Sequence, residues 1–209
     1  MKKHIENNYE FIALAVIAVL LLFNQYQLSK LSFSSGPLDI SNILPAGIPA
    51  VYGAELSISY DGVSASNPSL ADQTITAMSQ FDRSINLQGE DLQRYIAIVS
   101  QISCEYCCGA ESIIFKDGKA ACGCAHSQAM RGLAKYVIKN HPTEFTNDEV
   151  LEELGKWKTL FFPGVMAQKA AVLKQKGIEL NYINLASNKY RGIETGASSS
   201  GGGGMVGGC

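Results

Sequence analysis

Apolar and polar positions divide the chain into unlike stretches. Residues 11–23 read FIALAVIAVLLLF, an unbroken apolar run behind a short polar start that carries Lys2, Lys3 and His4. The run alone is shorter than the ~20 residues a spanning helix needs. The helix can continue through Leu28 and Leu31, however, and Tyr9 and Tyr26 stand where two membrane interfaces would fall. Residues 1–31 are therefore expected to be an uncleaved signal anchor, a transmembrane helix. A buried core helix would show the same run. So would the h-region of a cleaved signal peptide, although no A-x-A-like cleavage site follows.

Residues 32–66 read as a linker with a short strand. Pro37, Pro45 and Pro49 break it, and then Ala54, Leu56, Ile58 and Tyr60 alternate with Glu55, Ser57 and Ser59. Period two predicts a strand, ended by Asp61-Gly62.

Residues 67–190 carry helical spacing. Asn67-Pro68 starts a helix that runs to about Phe81. From Asp91, the stripe Leu92, Tyr95, Ile96, Val99 and Ile102 predicts an amphipathic helix that leads into Cys104. His126, Met130, Leu133 and Val137 form a second stripe. Thr146 and Glu149 have capping-box spacing, with Phe145 and Val150 placed as a hydrophobic staple. The helix that follows puts Val150, Leu154, Trp157 and Phe161 on one face. Pro163 ends it and opens another, which stops near Gly177. Residues 178–185 read as a second short strand. Ile113, Ile114 and Phe115 before Asp117-Gly118 predict a β-hairpin. From Arg191 the chain is a Gly/Ser-rich tail, 191–209, with too little apolar surface to order itself. The expected fold is mainly α: an N-terminal membrane anchor helix plus a small helical domain with a cysteine-bearing β-hairpin.

Composition and charge narrow the function. The chain has 209 residues and a formal net charge of -2, which offers no nucleic-acid surface. No Lys or Arg lies between Lys30 and Arg83, while Asp39, Glu55, Asp61, Asp72 and Asp82 do. A stretch poor in basic residues beyond an apolar helix is what a translocated region looks like. The expectation is a single-pass cell-membrane protein with its N-terminus cytoplasmic and its C-terminal domain extracytoplasmic. No Ser/His/Asp arrangement, phosphate-cradling loop or paired-carboxylate signature is present.

The chemistry gathers in residues 104–126, CEYCCGAESIIFKDGKAACGCAH, which hold five of the six cysteines. A hairpin would fold Cys104, Cys107 and Cys108 back onto Cys122, Cys124 and His126. Close C-x-x-C and C-x-C spacings favour a metal or a redox site over a spread disulfide scaffold. As a metal site, these six soft donors suit zinc, copper or an iron–sulfur cluster. Surplus ligands would suit transfer of metal to a protein partner. As a redox site, Cys104 and Cys107 would be the exchanging pair, and the helix beginning near Ala125 would favour the Cys122 and Cys124 thiolates. Structural disulfides bracing a non-catalytic domain are the third reading. His126 fits either a ligand or a packed core histidine. Cys209, at the end of the tail, is either an incidental thiol or the tip of an arm that returns to the cluster, with Met205 as a further soft donor. A terminal lipid is a further use of that position.

The order C-x-x-C-C, C-G-C-A-H, helix, capping-box helix resembles bacterial lipoproteins with a PCYCGC motif, which are anchored outside the membrane. The stretch 104–162 is similar to the cytochrome c maturation thiol-reductase family. That likeness implies a redox pair at Cys104 and Cys107, although the family's usual Arg and Gln neighbours are missing. As a whole, the chain looks like a membrane-anchored archaeal cysteine-rich protein.

Overall fold

The computed structural model describes residues 2–30, 41, 43–195 and 204–207. It divides into two units, Met1–Pro37 and Leu38–Cys209. In the first, α1 (Lys2–Lys30) is one uninterrupted helix. Its window Glu10–Gln27 has a mean hydropathy of 1.6 and none of it is buried. By length and composition, α1 can cross a membrane.

The second unit is helical: α2 (Gly53–Leu56), α3 (Pro68–Ser84), α4 (Gly89–Val99), α5 (Ala125–Asn140), α6 (Asn147–Phe161), α7 (Pro163–Gln175) and α8 (Tyr182–Ala186). Local chemistry sets the starts. The Asn67 side chain accepts from the Leu70 N–H at 3.3 Å, one residue before Pro68 opens α3. The Thr146–Glu149 capping box is complete in both directions. Pro163 opens α7, where its missing N–H costs nothing. The stripes of α3, α5 and α6 meet in one core containing Met78, Tyr95, Met130, Leu133, Trp157 and Phe161.

Three strand expectations are corrected. Residues 54–60 do not pair; they form α2 and then a 3-10 turn at Tyr60–Gly62. The alternation instead reports a strap lying on α6: the Tyr52 and Tyr60 hydroxyls both donate to Glu153, and Trp157 Nε1 donates to the Tyr52 oxygen at 2.8 Å. Ile58 and Tyr60 turn inward and Ser57 outward, but Ala54 and Glu55 are both exposed on α2, so the alternation holds only past Leu56 and finds no neighbouring edge to pair with. Residues 178–185 hold α8, because Asn181 caps the Asn184 N–H at 2.8 Å. The cysteine β-hairpin also fails as strands. The turn forms, with Phe115 N–H donating to Lys119 at 2.8 Å, but only a single bridge, Ile114 with Ala120, follows among the described residues. The ladder is too short because Ile113 also donates its N–H to Ile102 at 3.1 Å, which ties this loop to the end of α4.

The tail departs from the expectation of a segment that does not order itself. Val206 is 2% exposed and donates its N–H to the Phe161 carbonyl at 2.9 Å. One apolar side chain and one backbone bond seat residues 204–207 on the core.

Candidate metal centre

The site is built where the loop after α4 meets the start of α5. Cys104 is fully buried at the end of the α4 exit. Cys107 follows one turn later, its N–H donating to the Cys104 carbonyl at 3.3 Å. Cys124 is the N-cap of α5, and its sulfur accepts the Ser127 N–H at 3.4 Å.

The second half of the loop is pinned from beneath by Arg131, which is 2% exposed. Its guanidinium donates to the Ile113 carbonyl at 3.2 Å and the Cys122 carbonyl at 2.7 Å. Asp82 on α3 neutralises it at 2.7 Å. One α5 side chain therefore clamps both limbs of the loop and delivers Cys124 to Cys104.

The result is a trio. The sulfurs of Cys104, Cys107 and Cys124 lie within 4.8 Å of one another, and those of Cys104 and Cys124 are 3.3 Å apart. These three thiols can hold a metal ion. Their protonation is set by proximity. The Cys104 thiol donating to Cys124 holds the Cys124 thiol well below its ordinary range, with His126 and Ser127 acting the same way against burial. The same pairing, with burial, pushes Cys104 up. The positive end of α5 faces the Cys124 sulfur and favours its thiolate.

The other expected donors fall elsewhere. Cys108 and Cys122 are joined in a disulfide, so neither offers a thiolate in this state. Neither nitrogen of His126 belongs to the 4.8 Å set. It is fully buried, packed between Phe161 and Phe162 with ring centroids 4.8 Å and 5.0 Å away. Cys209 lies outside the described residues.

Around the trio stands a charged cage that sequence reasoning missed. Glu105, inside the C-x-x-C, meets Lys158 at 3.1 Å, Lys169 at 3.9 Å and Arg191 at 3.3 Å. Both lysines are fully buried. Tyr106, the other inner residue, donates to Glu194 at 3.1 Å and packs edge-on against Phe162. Both x positions thus anchor downward into α6, α7 and residues 191–194. The only sequence signal was a pair of lysines at apolar-face positions of otherwise amphipathic helices. Comparison with family models, with curated proteins and with solved structures finds no match for this chain.

Proposed function

We propose that this chain is a membrane-anchored extracytoplasmic protein that binds one soft metal ion, Zn(II) or Cu(I), at Cys104, Cys107 and Cys124. The observation that carries the reading is the convergence of three sulfurs within 4.8 Å at the N-terminus of a helix. Thiolates repel one another and hold protons unless a cation compensates them, so one bound ion relieves what the trio otherwise stores. An iron–sulfur cluster fits less well, since it takes four cysteines and two of this group are oxidised. The anchor is α1, with its basic N-terminus on the cytoplasmic side.

A second reading rests on its own observation. A lowered Cys124 thiol 3.3 Å from Cys104, beside an existing disulfide, is also what thiol–disulfide exchange requires. One experiment separates the two. Full-length chain carrying Cys209→Ser is purified without oxygen, and its metal content and reactive thiols are counted. Metal binding predicts one ion per chain, lost in Cys104→Ser, Cys107→Ser and Cys124→Ser and kept in Cys108→Ser. A chain without metal that cycles reversibly between three thiols and a second disulfide would replace the first reading with the second.

A further inference from the structure

Phe161 is the last residue of α6, so its carbonyl is one of the acceptors that a helix end leaves without an intrahelical donor. Val206 supplies that donor, its N–H reaching the Phe161 oxygen at 2.9 Å. The Val206 carbonyl, which can only accept, is met by His126 Nε2 at 3.0 Å. Both main-chain groups of one residue are therefore taken, one by α6 and one by α5, as a neighbouring strand would take them. The side chain is selected too, since Val206 is buried in the core. The next position is selected by exclusion. Gly207 has φ +71°, and a Cβ there would lie 2.8 Å from Ile75 Cδ1, 3.1 Å from Asp72 Oδ1 and 3.3 Å from Ala71 Cβ. A β-branched residue would meet that crowding in a left-handed backbone it rarely adopts. Met205, by contrast, is exposed. Residues of α3, α5 and α6 thus form a slot for an aliphatic residue followed by glycine. Peptide sites of this kind bond the main chain for affinity and use a pocket for selectivity.

We infer that this slot is an interaction site between copies of this chain, and that its partner is the Val206–Gly207 segment of a second copy. The sequence identifies the occupant. Val, Ile, Leu or Met precedes glycine at only two places, Leu154–Gly155 and Val206–Gly207. The first lies inside α6, so only the second is placed to leave one domain and enter another. Residues 196–203, GASSSGGG, join it to the domain. A chain of that composition and length spans about 15 Å on average and gives its far end an effective concentration in the millimolar range. A second copy's segment makes the same contacts, so exchange loses only that local advantage. The segment is therefore held in its own slot when copies are dilute and in a neighbour's when they are crowded. None of this depends on the metal reading, because no cysteine takes part in the slot.

The test uses full-length chain in detergent and, as probe, the peptide Gly-Met-Val-Gly-Gly capped at both ends. Val206→Asp stops the chain from filling its own slot, and the peptide should bind that variant one to one. The parent should bind it about 10-fold more weakly or worse, because its own segment competes. Valine in the peptide at the place of Gly207 should weaken binding about 10-fold. Alanine at the place of Met205 should leave it within about twofold. A second measurement puts a photo-crosslinking side chain in place of the exposed Met205 and keeps Val206. Cross-linked dimers should grow as the chain is raised from about 10 µM to about 1 mM. They should disappear in Gly207→Val and on adding excess peptide. This arm needs no Val206→Asp, so misfolding of that variant cannot hide a failure. Cross-links confined to single chains at every concentration would overturn the second copy as partner. A folded Val206→Asp that ignores the peptide would overturn the slot itself.

Discussion

Glu105 shows how much of this site depends on single side chains. Among the described residues it is the one carboxylate within 4 Å of three cations, two of them fully buried. Removing one partner of a buried ion pair leaves uncompensated charge and costs about 3–5 kcal/mol. Glu105→Gln is expected to destabilise the domain by that order and to loosen the C-x-x-C that it anchors. The pH dependence gives a sharper check. Burial pushes Lys158 down to about 8, with Glu105 pulling the other way. The unfolded lysine, at its ordinary value of 10.5, holds its proton longer. The unfolded chain therefore binds more protons above about pH 8, and stability rises with pH there. Without the Glu105 pull, that window opens lower. The gap between Glu105→Gln and parent should narrow between neutral pH and about pH 8, read as urea midpoints. A gap that stays constant would mean that the lysines do not depend on Glu105.

At the scale of elements, helix starts were legible because they are local. Asn67-Pro68, the Thr146–Glu149 box and Pro163 each act within one turn, and each helix begins where they stand. The strands were not legible. Period-two alternation over 54–60 is a pattern of letters that the chain follows in space only from Leu56 on, since Ala54 sits exposed on α2. Helix spacing was also silent. A Cβ on Gly132 of α5 would lie 2.0 Å from the Met78 carbonyl oxygen and 2.9 Å from the Asp82 nitrogen, both backbone atoms of α3. The two helices are in near backbone contact at that point. In an open helix, Gly→Ala gains roughly 0.5–1 kcal/mol. Gly132→Ala should reverse the sign and cost about 2–3 kcal/mol by overpacking. For a domain of this size, that lowers Tm by roughly 4–12 °C. An unchanged or higher Tm would show that α3 and α5 can separate cheaply. The same shift should move Arg131, the neighbouring residue, and Cys124, the N-cap about two turns back.

For the whole molecule, the sequence located the chemistry in residues 104–126 but not its division. Which of five cysteines pair depends on the loop path, and that path is set by Arg131, Asn188 and Arg191 from distant parts of the chain. The division bears on where the domain works. A disulfide between Cys108 and Cys122 persists in an oxidising compartment and is rare in the cytosol. Charge points the same way: Lys2 and Lys3 precede the apolar window of α1, and residues 31–82 contain no Lys or Arg. The proposed N-in, C-out anchor makes two joint demands on intact cells. Added protease should remove the region beyond residue 31 without permeabilisation. Thiol trapping at the moment of lysis should find two cysteines protected until a reductant is added, and Cys108→Ser should abolish that protection. Suppose instead that protease cuts only after permeabilisation and all cysteines react at once. The helix would then run the other way, and the trio would have to take its metal from the reducing side.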